Sequence, residues 1–299
     1  LFLSLNSLRK SYKYSILRQF SADGQSSVVA GKASIAPLVD TGKKKTTQFY
    51  RPAALTVTPS GVIYVLDGVI HTISEAGQVS TLDKTTESNC IFNNYAFTES
   101  PAKIQDIASC NFDQIASDKN NNIYASIRAY IVKIKQNGEV SIFSDLNKFA
   151  YYGEYSVPVS INGMVIAKDG VMYASYTGNG ITNIEKSAIF KITEAGEASL
   201  FAGSLTTAGH RDGITTEALF ISPRSLALDS EENLYVLDDI HWSSGTQAGP
   251  TVRKITPSGK VTTLAGQYNT SPGLVNGNAS EAVFTFSYRE SVYSNANLA

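Results

Sequence analysis

Cysteine is nearly absent from this sequence, which holds only Cys90 and Cys110. Two thiols exclude a disulfide-dense scaffold and any four-cysteine zinc site. Histidine is scarce too: three residues leave few imidazole ligands for a metal centre. Charge is thin, at 17 % of residues, and 25 basic side chains against 26 acidic ones leave a net charge of -1. Such a surface has no general pull on nucleic acid. No stretch reaches the roughly 18 apolar residues of a membrane span, so no transmembrane segment is expected. Nucleophile elbow, HExxH helix, phosphate-binding loop and dinucleotide fingerprint are all missing from fitting contexts. What is present is 42 % hydrophobic residues across 299 positions, enough for a sizeable core in two average domains or one large all-β domain.

A repeated turn organises the chain. It reads SADGQSSVVAG, SEAGQVSTL, KQNGEVSIF, TEAGEASLFAG and TPSGKVTTLAG, with glycines at Gly24, Gly77, Gly138, Gly196 and Gly259. Their spacings of 53, 61, 58 and 63 define a unit of about 60 residues. Four residues before each glycine stands Phe20, Ile73, Ile134, Ile192 or Ile255, preceded by a mostly polar residue. This alternation is the period of a half-buried strand, and the glycine supplies the turn to an antiparallel neighbour. Upstream lies a second hairpin, marked by Tyr64, Tyr124, Tyr173 and Tyr235 at equivalent places on its second strand. Each unit is therefore four strands, a to d, with no helical periodicity between them: the pattern of a propeller blade.

The termini suggest how the blades close. Residues 1 to 31 supply strands b, c and d without an a, while FTFSYRESVYSNANLA (284 to 299) aligns with the strand a of FISPRSLALDSEENLY (220 to 235). Wrapping the chain gives a last interval of 64, in line with the others. The expectation is an all-β, five-bladed β-propeller of four-stranded antiparallel blades, closed by a C-terminal strand a pairing with the N-terminal strands b to d. Blade 1 is 284–299 plus 1–31, and blades 2 to 5 are 50–83, 110–145, 158–203 and 221–266. Closure removes the sheet edges that an open array would expose. The alternative is an open piece of a longer propeller, since the chain starts at Leu1.

AGHRDGITTEALFISPRSLALDSEENLYVLD (208 to 238) followed by TVRKITPSGKVTTLAG (251 to 266) resembles the NHL family of β-propellers. The linker signature, a DG or NG element leading to Phe-x-x-Pro, recurs in DTGKKKTTQFYRP (40 to 52) and DGITTEALFISP (212 to 223). In NGNASEAVFTFS (276 to 287) Ser287 replaces the proline, and blades 3 and 4 do not keep the signature intact. The resemblance implies Asp–His pairs at the b to c turn, here Asp67 with His71 and Asp238 with His241. The residues expected to be equivalent to Asp67 in blades 3 and 4, Ile127 and Tyr176, are poor metal ligands, so the pairs read as local turn hydrogen-bonding rather than a histidine ring. His210 lies in a linker and belongs to neither pair.

Loop lengths single out one face. The a to b and c to d turns are short, whereas the b to c and d to a connections include 6–15, 84–109, 176–188 and 239–250. Long loops on a rigid scaffold are where binding residues gather. Candidate binding residues on that face are Asp239, His241 and the single tryptophan, Trp242, with Tyr176. Alignment on the tyrosines places Ala53, Asp113, Asn162, Arg224 and Tyr288 at one level of the channel mouth, with Arg289 and Glu290 beside it. Asp113, Asn162, Arg224 and Arg289 complete the binding candidates. Of these, Asp113 and Asn162, with Glu290, are the only set that could hold a divalent cation, which the two arginines oppose. No cofactor is expected. Basic residues Arg9, Lys10, Lys13 and Lys43 to Lys45 read as a solvated cluster rather than an RNA surface. Cys90 and Cys110 bracket the 84–109 connection, and a disulfide between them would pin it.

These features point to a non-catalytic binding or scaffold propeller that takes a protein or glycan partner on its long-loop face. The alternative is a metal-dependent hydrolase or lyase acting at the channel mouth. Low charge, abundant Ser, Thr, Tyr and Asn, and the expected disulfide suggest an extracytoplasmic setting, secreted, periplasmic or on the cell surface, within a larger assembly. An export signal would already have been removed, since LFLSLN is too short to be one. Sequons stand at Asn269 and Asn278.

Overall fold

In a computed structural model, residues 2–9, 12–20, 25–30, 49, 52–82, 102–103, 110, 112–149, 151–152, 155–156, 159–178, 186–238, 249–268 and 275–284 are described. They are strands joined by turns, with two single-turn 3-10 helices at Asn147–Phe149 and Thr215–Glu217. The fold is an all-β β-propeller built of four-stranded antiparallel sheets.

Blade 1 contributes β1 (Phe2–Arg9), β2 (Tyr12–Phe20) and β3 (Ser26–Ala30). Blade 2 is β4 (Ala54–Val57), β5 (Ile63–Leu66), β6 (Ile70–Ile73) and β7 (Val79–Thr81). A short β8 (Ala102–Lys103) then precedes blade 3: β9 (Gln114–Ser117), β10 (Ile123–Ile127), β11 (Tyr130–Ile134) and β12 (Glu139–Asp145). A two-stranded hairpin, β13 (Tyr151–Tyr152) and β14 (Tyr155–Ser156), leads to blade 4: β15 (Val159–Ile166), β16 (Met172–Gly178), β17 (Lys186–Ile192) and β18 (Ala198–Ser204). Finally β19 (Gly213–Ile214) precedes blade 5: β20 (Pro223–Leu228), β21 (Leu234–Asp238), β22 (Thr251–Ile255) and β23 (Lys260–Ala265).

Four blades are complete among the described residues, not five. The N-terminal sheet has three strands, and the closing strand expected from 284–299 lies, apart from Phe284, outside the described residues. The linkers before blades 3 and 5 also do more than connect. β8 pairs with β12, and β19 pairs with β23, each adding a short fifth strand to the outer edge of the blade that follows it.

The described residues form two compact units, one ending at Phe143 and one starting at Ser144. In the first, a core cluster containing Leu17, Val29, Ile63 and Val65 joins blades 1 and 2, and one containing Leu66, Ile115, Ile123 and Val132 joins blades 2 and 3. In the second, Ile189, Phe220, Leu226, Val236 and Ile255 join blades 4 and 5. Sheets buried on both faces lose strict polar alternation, and β10 is buried at every position. Hydroxyls bolt neighbouring blades together: Ser117 Oγ donates to Val57 O at 3.0 Å, and Ser175 Oγ and Ser187 Oγ donate to Arg224 O and Ile221 O at 2.6 Å.

The marker tyrosines have a physical role in two blades. In blade 3 the Asp118 carboxylate accepts from Asn120 N, Asn122 N, Asn122 Nδ2 and Tyr124 Oη; in blade 5 Asp229 accepts from Glu231 N, Asn233 N, Asn233 Nδ2 and Tyr235 Oη. Each tyrosine thus locks the a to b turn beneath it, and Lys133 and Lys254 lie over the two rings.

Candidate functional site

Strand registers align the residues that the sequence singled out. Tyr64, Tyr124, Tyr173 and Tyr235 face Thr72, Lys133, Lys191 and Lys254 on strand c. The strand c residues just before these are His71, Val132, Phe190 and Arg253, all fully buried. Three residues beyond each tyrosine stand Asp67, Ile127, Tyr176 and Asp238, also buried. The pairs are therefore Asp67 with His71, Ile127 with Val132, Tyr176 with Phe190, and Asp238 with Arg253. His71 sits within strand c rather than at the turn, and its counterpart in blade 5 is Arg253, not His241. The twelve-residue connection 239–250 hid that equivalence from counting along the chain.

Arg253, fully buried, is the centre of a polar network. Its Nη1 donates to Leu219 O at 3.1 Å and to Asp238 Oδ2 at 3.3 Å; its Nη2 donates to Arg211 O at 3.0 Å and Asp212 Oδ1 at 2.7 Å. The guanidinium lies over the Phe220 ring, 5.0 Å from its centroid. Asp238 also accepts from Ile221 N and Ser222 N, and Asp212 accepts from Thr263 N and Thr263 Oγ1. The network fastens the linker 211–222 to blade 5. The same architecture recurs in blade 2, where the linker residue Phe49 packs edge-on against His71 at 5.7 Å, and in blade 4, where Phe149 packs on Phe190 at 4.6 Å.

One guanidinium faces two carboxylates, and their environments drive them apart. Desolvation raises Asp238 to about 7 against the pull of Arg253 and two amides. Asp212 is only partly desolvated, and hydrogen bonds from Thr263 and Arg253 together with the guanidinium charge hold it below its ordinary value. With Asp238 protonated the buried network is neutral, the state that low-dielectric surroundings favour. His210 stacks flat on Tyr268, at 4.5 Å and 9°, with Nε2 3.4 Å from Thr263 Oγ1. Desolvation, then the charge of Arg253, holds its pKa down.

Of the residues expected at the channel mouth, Ala53 and Asp113 occupy matching register positions in their blades. Ala53 N and Asp113 N donate to Leu66 O and Ser126 O, one residue before the pairs Ala54–Leu66 and Gln114–Ser126. Asn162 sits at the bulge between Ile161 and Gly163, and a side chain at Gly163 would collide with Arg224 O. Asp113 is exposed and its Oδ2 accepts from Arg128 N at 3.1 Å, holding Arg128 in a left-handed conformation, φ 55°, at a turn position where blade 2 has Gly68. Partial desolvation raises its pKa against that bond and the Arg128 charge. Asn162 and Arg224 are half-buried. Tyr176 is fully buried against Phe190 at 5.1 Å, away from any partner. Among the described residues no group of three or more His, Cys, Asp or Glu side chains could hold a metal. Asp239, His241, Trp242, Tyr288, Arg289, Glu290 and Cys90 lie outside the described residues, and Cys110 is buried beside Phe112 in the blade 2–3 cluster.

No family model matches the chain. Human teneurin-4 is 26 % identical over 249 residues, covering 71 % of this chain, and mouse teneurin-4 is 25 % identical over the same length. The chain spans 9 % of the length of these relatives, which contain NHL repeats. Solved structures similar to it include a calcium-binding protein, regucalcin, from Agrobacterium tumefaciens, 10 % identical, covering 74 % of this chain and 61 % of that one with a TM-score of 0.46. A gluconolactonase from Xanthomonas campestris is 11 % identical, covering 76 % and 78 % with a TM-score of 0.38. The extracellular domain of a hybrid two-component system from Bacteroides thetaiotaomicron is 11 % identical, covering 96 % and 28 % with a TM-score of 0.42. No helix among the described residues is long and apolar enough to cross a membrane.

Proposed function

We propose that the chain is a non-catalytic, NHL-type binding propeller that takes a protein or glycan partner on the face of its b to c and d to a connections, outside the cytoplasm. One observation carries this reading: the buried acid–base network is spent on main-chain groups. Arg253 and Asp238 engage Leu219 O, Arg211 O, Ile221 N and Ser222 N, a division of labour suited to holding a connection in place rather than to proton transfer on a substrate. Trp242, His241 and Asp239 would then supply contacts from the 239–250 loop. A glycan array and cross-linking mass spectrometry test it. Trp242→Ala and replacement of 240–248 by a short Gly-Ser loop should each abolish capture with an unchanged melting temperature; capture that survives both would overturn the reading. The hydrolase alternative predicts a stoichiometric divalent ion in the purified protein that Asp113→Ala removes.

The same reading includes a fifth blade, closed by a strand from 284–299 beside β1–β3. Backbone equivalences support it. The bulge between Leu17 and Arg18 repeats the one between Val252 and Arg253, so Arg18 takes the register position of Arg253. The bridge Val275–Val283 repeats Arg211–Leu219 in the linker of blade 5. A Cys90–Cys110 disulfide belongs to the proposal as well, and peptide mapping without reduction reads it directly.

A further inference from the structure

Between blades 2 and 3 of the first unit lies an open pocket of about 280 Å³, lined by Tyr64 and Leu82 from blade 2 and by Asn121, Ile123, Ile134, Lys135, Gln136, Asn137 and Gly138 from blade 3. Its volume is just under the ~300 Å³ at which small-molecule sites begin, room for one small ligand.

The pocket lies where a repeat departs from the pattern of blades 3 and 5. In blades 3 and 5 the marker tyrosine gives its hydroxyl to the aspartate of its own a to b turn. Blade 2 has Thr58 at that turn, and Thr58 Oγ1 is occupied with Ser60 Oγ and Val62. Tyr64 Oη is thus left without a protein partner among the described residues, while its ring packs on the core beside Leu82.

The remaining polar groups are half-used in a consistent way. Asn121 Oδ1 accepts from Ser60 N at 3.0 Å, leaving its Nδ2 as a donor. Gln136 Nε2 donates to Asn120 O at 3.0 Å, leaving Oε1 as an acceptor. Asn137 Oδ1 accepts from Glu139 N at 3.0 Å, leaving Nδ2. The one cation, Lys135, is neutralised by Glu139 at 2.8 Å. The lining therefore offers two amide donors, an amide acceptor and a phenol that can do either, over an aliphatic floor of Leu82, Ile123 and Ile134 and with no unpaired charge.

We propose that this pocket binds one neutral sugar residue. Sugar hydroxyls both donate and accept, which matches the mixed amide and phenol rim, and a pyranose presents an apolar C–H face to the floor and the Tyr64 ring. A phosphate or ammonium ligand would find no counter-charge. The site is separate from the long-loop face and does not depend on it.

Saturation-transfer NMR on the full chain tests this with methyl glucoside, methyl galactoside, methyl mannoside and N-acetylglucosamine, and with inorganic phosphate and indole as contrasting probes. Transfer to ring protons of at least one sugar is expected. Tyr64→Phe, which keeps the ring, and the exposed Gln136→Ala should each weaken its Kd by about fivefold, the worth of one neutral hydrogen bond, at unchanged melting temperature. Trp242→Ala should leave it unaltered, so failure of the loop-face reading and of this one are distinguishable. Absence of transfer to all four sugars, binding indifferent to both substitutions, or preference for phosphate or indole would each overturn the proposal.

Discussion

Arg253 shows most clearly how one side chain can hold a segment of linker. It is charged yet fully buried, and its removal would leave Asp238 with only the Ile221 and Ser222 amides and Leu219 O and Arg211 O with only each other's backbone N–H. Arg253→Met is expected to cost about 1–3 kcal/mol in urea denaturation, the usual penalty for taking hydrogen-bond donors away from buried acceptors. Asp238 makes a separate prediction. Its folded pKa of about 7 exceeds the 3.8 of an unfolded chain, so the native state holds the extra proton between those values. Its contribution to stability is fully present below about pH 4 and is lost as pH rises through about 7. Melting curves should therefore show a decline across that window which Asp238→Asn removes; an unchanged decline would mean the carboxyl is ionised throughout. Asp212 and Asp118, held low, act in the opposite sense and only below the ordinary carboxylate range. Arg128 is simpler. Its left-handed backbone, φ 55°, is a conformation glycine adopts freely, and Arg128→Gly should raise stability by up to about 1 kcal/mol in thermal unfolding.

Single strands and turns were legible to the extent that their physics is local. Ile73, Ile134, Ile192 and Ile255 mark strand c because alternation and the following turn need only nearby residues. The linker strands β8 and β19 were not, since two residues carry no periodicity and pair only because an outer strand stands beside them. One signal for the Arg253 network was visible nonetheless: in TVRKI the arginine shares the phase of Ile255, the repeat's apolar strand c position, an inward-facing charge that demands partners. At the ends of β18 and β23 the Ala-Gly step is required by close approach. Gly203 and Gly266, at φ 92° and 94°, leave no room for a Cβ against Ser187 O and Phe220, and against Pro250 O and Phe284. Gly203→Ala is expected to destabilise the chain by about 1–3 kcal/mol in chemical denaturation.

At the scale of the whole molecule, the proposed closure means that the C-terminal segment covers the open edge of β1. Truncation after residue 283 should leave that edge unpaired, lowering the melting temperature and producing aggregates in light scattering; a monodisperse truncated chain of unchanged stability would argue for an open array. The sequence by itself determined an all-β propeller of four-stranded blades, because a 60-residue period and two-residue alternation are properties of order along the chain. Equivalence across an insertion was a different matter. Counting from Asp238 led to His241, whereas the register leads to Arg253, since hydrogen-bonded pairing measures position across a sheet and ignores loop length. Likewise only the tertiary structure decided that Tyr176 is buried and that Tyr64 lines a pocket. These two tyrosines stand in similar strands, and their fates depend on what the neighbouring turns and blades present to them, which no linear spacing encodes.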